Sequence, residues 1–412
     1  MSTDIGPIVS TLRRHRTTAW LLVLEIALTC AIVCNAVFLI GQRLDRVNMP
    51  SGVAEQELVQ IQLGDLAAGK DRYARAQEDM ALLRQVPGVQ SVAITNQVPF
   101  GGSSSNSNLR IDPSQHDPVA NAATYLGENL PQTLGTRLVA GRKLAPGDYV
   151  NADVAVDALN RGRTEGLPTV AVITRALAER LWPGQEPLGR MVYLTDKAGV
   201  RVVGVLDTLV RPNAYRDATA QYAVILPLHM GADKDESYLL RTRPQDRQRV
   251  LAAAVAALHK ADPQRVVTRK RTFAEVRQEF FRSDREMAGT LVGVCIALLT
   301  VTALGIVGLA SFWVSQRRRT IGVRRALGAT RADILRYFQT ENFLLATAGI
   351  VLGMVLAYGL NLFLMAHYEL PRLPIGYLPA GALALWLLGQ LAVLGPALRA
   401  AEVPPVVATR SA

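Results

Sequence analysis

Residues 287–329 read MAGTLVGVCIALLTVTALGIVGLASFWVSQRRRTIGVRRALGA. The first part, 287–314, is an apolar run without an Asp, Glu, Lys or Arg, and it exceeds the roughly 20 residues that cross a bilayer as a helix. Arginines follow it at once, at positions 317, 318, 319, 324 and 325. The stretch therefore predicts a membrane-spanning helix that ends at a strongly positive membrane face.

Three further apolar runs predict an α-helical bundle of four spans. They cover residues 19–41, 341–366 and 377–398, and each is about long enough to span. The first lacks a small-residue cleavage site and is too long for the apolar part of a signal peptide, so we interpret it as an anchor. Half of the 412 residues are hydrophobic, a fraction in keeping with a membrane protein.

The arginines set the predicted orientation. Arginines precede the first span (13, 14, 16) and follow the fourth (399, 410), and those between 317 and 336 accompany a single acid, Asp333. Because cytoplasmic loops carry the excess of Lys and Arg, we place the N-terminus (1–18), the segment 315–340 and the tail (399–412) in the cytoplasm. Residues 42–286 and the short loop 367–376 are then outside. The juxtamembrane position of the arginines argues against nucleic acid as a partner, despite the net charge of +11.

The large outer segment predicts a mixed α/β domain. Residues 58–63 alternate between apolar and polar, which is typical of a half-buried strand with Gln60 and Gln62 facing solvent. A helix near 71–85 and a strand at 89–95 complete one β-α-β unit. A second unit covers strand 238–242, a helix to about 260 and strand 266–271. We expect the units to form one subdomain (about 50–114 and 233–275) around an inserted second subdomain (about 115–232).

Connecting segments carry two further expectations. The run Gly101–Ser107 is rich in Gly and Ser and predicts a flexible loop. A helix from about Thr272 to Arg285 is expected to continue directly into the second span.

Motifs for catalysis or metal binding are weak. Residues 64–71 approach a phosphate-binding loop, but Asp71 stands where that motif has the Ser or Thr that holds Mg²⁺. Cys30, Cys34 and Cys295 all fall in apolar runs, where small apolar fillers are the simplest interpretation. Glu25 in the first span leaves a proton-relay role as a minor alternative. We expect a non-catalytic protein without a bound cofactor or metal.

The segment 316–345 predicts a short basic amphipathic helix on the membrane surface. Its apolar side is formed by Ile321, Leu327, Ile334, Leu335 and Phe338. Gly322 and Gly328 permit tight packing or turns.

The same segment resembles the hallmark loop of the FtsX/MacB-type ABC transporter permeases, in its core IGVRRALGATRADIL (321–335). The first-span text LLVLEIALTCAIVCNAVFLI (21–40), the outer texts VITRALAERLWPGQEPLGRMVYL (172–194) and VRVVGVLDTL (200–209), and the ending VPPVVATR (403–410) agree with it. The order of one span, a large outer domain and three spans agrees as well. The resemblance covers essentially the whole chain.

The resemblance implies that the loop is the coupling segment that docks on a cytoplasmic ATP-binding cassette (ABC) ATPase. The residues implied are Arg317, Arg318, Arg319, Thr320, Ile321, Gly322, Arg324, Arg325, Ala326, Leu327, Gly328 and Ala329. Thr320 departs from the family's usual Glu at that position. ATP and Mg would then be bound by the ATPase, on a separate polypeptide, and the outer domain would be a porter-like subdomain with its insert.

The implied function is that of a MacB-like permease subunit in the bacterial inner membrane. ATP hydrolysis would move the outer domain (mechanotransmission) and drive export of a peptide, antibiotic or lipid-like molecule. The implied partners are an ATPase dimer, a second permease copy or paralogue, a periplasmic adaptor (membrane fusion protein) and an outer-membrane channel. Alternatives are FtsX-like signalling to cell-wall hydrolases, Lol-like lipoprotein release, and a ligand-sensing receptor.

The orientation can be tested by cysteine labelling in intact spheroplasts. A cysteine placed within residues 101–107 should react with a membrane-impermeant thiol reagent, because that segment is predicted to be outside. A cysteine at position 330 should stay unlabelled until the membrane is permeabilised. The opposite pattern would invert the topology.

Overall fold

The computed structural model describes residues 16–64, 72–195, 198–214, 219–231, 236–368, 373–374 and 376–402. The chain divides into a membrane unit, Met1–Val47 with Asp284–Ala412, and an α/β unit, Asn48–Ser283. Most of the phosphate-loop-like stretch (65–71), the arginines at 13, 14, 372 and 410, and the ending 403–410 lie outside the described residues.

The described secondary structure is α-helical at both ends and mixed in between. The helices are α1 (Arg16–Val47), α2 (Arg72–Arg84), α3 (Leu130–Leu134), α4 (Ala152–Asn160), α5 (Arg175–Leu181), α6 (Arg247–Ala261), α7 (Phe273–Phe280), α8 (Arg282–Gln316), α9 (Arg318–Ala326), α10 (Arg331–Tyr368) and α11 (Tyr377–Ala401). The strands are β1 (Leu58–Gly64), β2 (Val89–Thr95), β3 (Asn106–Leu109), β4 (Ala120–Glu128), β5 (Leu138–Gly141), β6 (Val150–Asn151), β7 (Val170–Thr174), β8 (Met191–Tyr193), β9 (Gly199–Leu206), β10 (Ala223–His229), β11 (Ser237–Thr242) and β12 (Val266–Thr272).

Four helices, α1, α8, α10 and α11, are long and apolar enough to cross a membrane. Each contains one of the predicted spans, and α8 and α10 extend beyond them to 35 and 38 residues. The predicted fold class, a four-span bundle with a mixed α/β domain, is confirmed.

Close packing of α1 against α10 organises the membrane unit. A Cβ atom on Gly349 would lie 2.8 Å from Ile26, and one on Gly353 would lie 2.5 Å from Cβ of Cys30. The missing side chains therefore let the two backbones approach. Asn35 adds a hydrogen bond between the helices, because its side-chain amide donates to the carbonyl of Ala357 at 3.1 Å.

The glycines of α8 differ from those of α10 in how closely another helix approaches them. A Cβ on Gly305 of α8 would meet the carboxylate of Glu25 at 2.7 Å. Gly289, Gly293 and Gly308 have open space where a side chain would stand. Glycine spacing thus marks a close helix contact at α10 and at one point of α8.

The α/β unit is built on one mixed sheet. Its strand order is β12-β1-β11-β2-β4-β10-β7-β9-β5, with β3 on β4, β6 on β10 and β8 on β9. The first four strands are antiparallel neighbours. Beyond them, β10 is parallel to β4 and β7 is parallel to β9.

The described residues of this unit include two hydrophobic cores. The two β-α-β units share the first, which holds Ile61, Met80, Ile94, Leu240 and Leu251. The second holds residues between 109 and 226, including Ile173, Leu177 and Val202. Strands from both halves of the outer segment therefore cooperate in the first core, although up to about 180 residues separate them in the chain.

The prediction that Gln60 of β1 faces solvent was wrong, because its side chain is buried. Its side-chain amide donates to Oγ of Ser237 at 2.7 Å, and its carbonyl accepts from Nε of Arg271 at 2.9 Å. Helix α7 packs on β1 and β12 and so covers part of the face that the alternation assigned to water.

The predicted loop 101–107 is also shorter than expected. Strand β3 begins at Asn106 and pairs with β4. Ser105 is held as well, because its backbone N–H donates to the side chain of Gln97 at 2.7 Å. The polar composition of this segment gives no sign of a strand. The strand forms because its backbone pairs with β4 and Gln97 holds the residue before it.

A buried ionic cluster joins α2 to β11 and β12. The carboxylate of Asp79, only 3% exposed, accepts hydrogen bonds from Arg265 and, at 2.9 Å, from the hydroxyl of Tyr238. Burial raises the pKa of Asp79, while Arg265 and Tyr238 lower it in part. The cluster therefore connects the helix of the first β-α-β unit, α2, with a strand of the second unit, β11.

Replacing Arg265→Gln should destabilise the α/β unit by about 3–5 kcal/mol, because it leaves the Asp79 carboxylate buried without its cation. Arg249→Gln, which breaks an exposed pair with Asp246, should cost about 1 kcal/mol or less. Thermal unfolding of the detergent-solubilised protein compares the two.

The loss in Arg265→Gln should shrink as pH is lowered towards the ordinary pKa of Asp79, since the folded state then favours the neutral acid. Adding Asp79→Asn should likewise recover part of the stability. Equal losses in both arginine variants would contradict the assignment.

Candidate functional site

The predicted coupling segment forms two helices, so the expectation of one amphipathic helix over it was wrong. Gly328 ends the first helix: its φ is +100°, and the backbone N–H of Gly328 and Ala329 bond back to the carbonyls of Arg325 and Arg324 at 3.1 Å each. Only glycine adopts such a φ without strain. Thr330 then caps α10, because its hydroxyl accepts from the backbone N–H of Asp333 at 3.2 Å.

One side of α9 is anchored in the membrane unit. Ile321 and Gly322 are buried, and Ile321 packs in a cluster with Ile334 and Phe338 of α10 and Ala397 of α11. Leu335 packs against the same cluster. Four of the five predicted apolar residues therefore meet, across the turn at Gly328.

Leu327 is the exception and points to the other side of α9. Its side chain is 84% exposed, and Val323 is 45% exposed. We call the exposed residues of this segment the coupling surface; they are Arg318, Arg319, Thr320, Val323, Arg324, Ala326, Leu327 and Gly328. An apolar centre with cations beside it suits an apolar groove with an acidic rim on a protein partner.

Two arginines hold this surface in place and are not fully free to bind a partner. The guanidinium of Arg317 lies 2.9 and 3.1 Å from the two carboxylate oxygens of Glu341, which is 1% exposed. It also stacks over the ring of Trp313 at 5.7 Å. Arg324 lies 5.0 Å from the ring of Tyr337. Of the predicted coupling residues, Arg317, Ile321 and Gly322 thus support the surface, and Arg325 and Ala329 lie half-buried at its margin.

A second arrangement, absent from the sequence-based prediction, lies in the α/β unit where its chain connections begin. Residues 48–57 follow the first span in sequence, and α7 precedes the second. Arg277 of α7 joins them: its guanidinium donates to the carboxylate of Glu55 and, at 2.6 Å, to the carbonyl of Met49. Glu55 also accepts from the hydroxyl of Ser51 at 2.5 Å.

Aromatic rings complete this arrangement. The guanidinium of Arg277 lies 4.9 Å from the ring of Phe100 and 5.4 Å from that of Phe281. Phe100 has a φ of 62°, which is rare for a bulky residue and stores strain. We call Met49, Glu55, Phe100, Arg277 and Phe281 the Arg277 joint.

The expected continuous helix from 272 to 285 was wrong, because the helix is interrupted at the Arg277 joint. The capping box of Thr272 and Glu275 begins α7, but Phe281 leaves the helical conformation and α8 starts anew at Arg282. The ring of Phe281 is fully buried against Phe100 and Phe280.

Within the part of the chain that the structure describes, no group of three or more His, Cys, Asp or Glu residues is placed to hold a metal ion. Cys30, Cys34 and Cys295 are buried free thiols.

Comparisons with known proteins match both units. A family model described as FtsX-like permease C-terminal matches residues 292–405, and one described as MacB-like periplasmic core domain matches residues 21–267. The second match alone covers more than half of the chain.

Curated relatives are similar over most of the chain at low identity. The macrolide export ATP-binding/permease protein MacB 1/2 of Paracoccus denitrificans is 26% identical over 416 residues, which cover 96% of this chain and 57% of the relative. The pyoverdine export ATP-binding/permease protein PvdT of Pseudomonas syringae pv. syringae is 26% identical over 81% of this chain and 48% of its own length. The chain thus spans about half the length of these relatives.

Two solved structures are similar to part of this chain. The periplasmic region of MacB from Actinobacillus actinomycetemcomitans matches 55% of this chain and 94% of its own, at 16% identity and a TM-score of 0.33. The extracellular domain of the transporter YknZ from Gram-positive bacteria matches 51% of this chain and 100% of its own, at 15% identity and a TM-score of 0.31.

Proposed function

Because the chain belongs to the FtsX/MacB-type family of ABC transporter permeases, we propose that it is the membrane subunit of an export machine driven by a cytoplasmic ABC ATPase. It catalyses no reaction itself in this proposal; ATP and Mg bind to the ATPase.

The coupling surface is the observation that carries this proposal. It presents the exposed Leu327 and Val323 beside Arg318, Arg319 and Arg324, while Ile321 fixes the opposite side of α9 in the membrane unit. A rigidly held, exposed apolar centre is what a docking protein can use as an anchor. We propose that one ATPase subunit of a dimer receives this surface, on the cytoplasmic side of the inner membrane.

The Arg277 joint supports mechanotransmission as the mechanism. Both chain connections of the α/β unit, residues 48–57 and α7, are held by the same guanidinium. A displacement carried along either connection therefore reaches the other through Arg277, and so enters the domain as one motion. Transport of substrate between the membrane helices is not required by this scheme.

The assembly around the chain follows from the family. We propose a dimer with a second copy or a paralogue, and a periplasmic adaptor and outer-membrane channel that carry the substrate onward. The names of the relatives refer to macrolide and pyoverdine export, and on that ground we propose a small secreted molecule as the cargo.

Affinity purification of the tagged protein from its native membranes tests the proposal. An ABC ATPase should co-purify with the wild-type chain in mild detergent, together with an adaptor. Leu327→Asp should lose the ATPase, because it places a charge at the apolar centre of the coupling surface. Leu159→Asp, at a leucine of α4 that is 49% exposed, is the matched control and should retain it.

Three results would change the conclusion. Absence of an ATPase from the wild-type sample would remove the export proposal and favour a receptor. An unaffected ATPase in Leu327→Asp would show that docking occurs elsewhere. Recovery of a cell-wall hydrolase in place of an adaptor would favour FtsX-like signalling.

Arg277→Gln should uncouple the α/β unit from ATP hydrolysis without stopping hydrolysis. In the wild-type complex, hydrogen–deuterium exchange of the α/β unit should change between the nucleotide-free state and a vanadate-trapped state. In Arg277→Gln that change should disappear, and residues 48–57 and 273–281 should exchange faster, at an ATPase rate within about two-fold of wild type.

Arg249→Gln, an exposed arginine of α6 in the same unit, is the control and should behave as wild type. A nucleotide-dependent exchange pattern that survives in Arg277→Gln would refute the role of the joint.

A further inference from the structure

A cleft of about 220 Å³ opens in the α/β unit beside α3. Its apolar lining comes from Leu138 of β5, Val172 of β7 and Leu206 of β9, with Leu144 from the loop after β5. Val172 and Leu206 are each 1% exposed, so they form a fixed floor supplied by the sheet. The coupling surface and the Arg277 joint contribute none of these residues.

Lys143, Tyr149 and Arg241 are among the hydrogen-bond donors that line the same cleft. The phenol oxygen of Tyr149 accepts from the backbone N–H of Asn129 at 3.2 Å, which leaves its own proton available. Burial raises the pKa of Tyr149 above its ordinary value, with a smaller contribution from nearby acids. The hydroxyl therefore stays protonated at neutral pH and can donate.

The protein uses only some of the N–H donors of Arg241. Its Nε donates to Glu57 at 2.6 Å and one terminal nitrogen donates to the carbonyl of Gln132 at 3.3 Å. A guanidinium has five N–H groups, so Arg241 retains donors after these bonds. The charge of Glu57 offsets that of Arg241.

Lys143 supplies positive charge that the cleft itself does not offset. Its side chain is exposed, and none of the described residues that line the cleft is an acid. The charge of Lys143, with the donors that Arg241 and Tyr149 retain, favours an anionic group, while the apolar floor favours a ligand with a hydrophobic body.

The volume of the cleft limits the size of the ligands that fit it. An apolar cavity of about 150 Å³ accommodates benzene, so this cleft has room for one aromatic ring or branched alkyl group with a short acidic arm. We propose that the cleft binds a small organic acid, with its apolar body on Leu138, Val172 and Leu206 and its carboxylate between Lys143, Tyr149 and Arg241. This inference goes beyond the proposed function and does not depend on an ATPase or on transport.

The test uses the full chain in lipid nanodiscs and fluorine NMR of three probes that share one body. They are 3-(4-fluorophenyl)propionate, the corresponding alcohol and the corresponding amine, with empty nanodiscs to subtract uptake by lipid. The acid should bind more tightly than the alcohol, and the amine should bind least. Equal affinities for all three probes, or no binding beyond the empty nanodiscs, would overturn the proposal.

Variants locate the binding. Lys143→Gln should weaken the acid by about two- to five-fold, as expected for an exposed charge, and leave the alcohol unchanged. Tyr149→Phe should weaken the acid by about ten- to a hundred-fold through loss of one hydrogen bond to a charged group. Lys260→Gln removes an exposed lysine of α6 away from the lining and should have no effect. Unchanged binding in both cleft variants would place the acid elsewhere and refute the site.

Discussion

The cost of placing a guanidinium in hydrocarbon, about 2.5–3.5 kcal/mol at the centre of a membrane helix, constrains everything else in this chain. Arg317 follows the end of α8, and further arginines lie along α9 and at the start of α10, so this whole segment must remain at a membrane face. Helix α9 meets the constraint by having two sides. Ile321 is inserted among α10 and α11, and the charged side stays open. The same arrangement that keeps charge out of lipid therefore presents the coupling surface to a partner.

Close backbone contact and charge pairing both contribute specificity. In the membrane unit, Gly349 and Gly353 let α10 approach Ile26 and Cys30, and Arg317 is paired with the buried Glu341. The α/β unit relies on charge pairs as well. Asp79 is matched by Arg265, and Glu55 by Arg277. Buried pairs of this kind add little net stability but penalise alternative arrangements, since a lost partner leaves a charge unpaired.

The spans and both β-α-β units were predictable from the sequence, because apolar run length and two-residue alternation are local signals. The burial of Gln60 was not predictable, since α7, which packs on β1 and β12, lies more than 200 residues later in the chain. The break of the coupling segment was missed although Gly328 and the capping pair Thr330 and Asp333 are local signals; the amphipathic pattern runs across the break and masked them. The Arg277 joint and the cleft depend on residues far apart in the chain, such as Glu55 with Arg277, and no spacing in one sequence reports such contacts.

The short 3₁₀ turn Glu55–Glu57 faces both of these features. Glu55 is bound by Arg277 of the joint, and Glu57 by Arg241 of the cleft. A carboxylate on the remaining donors of Arg241 would share that guanidinium with Glu57, two residues from the Glu55 that Arg277 holds. Thermodynamic linkage makes any such effect reciprocal. A ligand that shifts the equilibrium of the turn by some factor has its own affinity changed by the same factor when the turn moves.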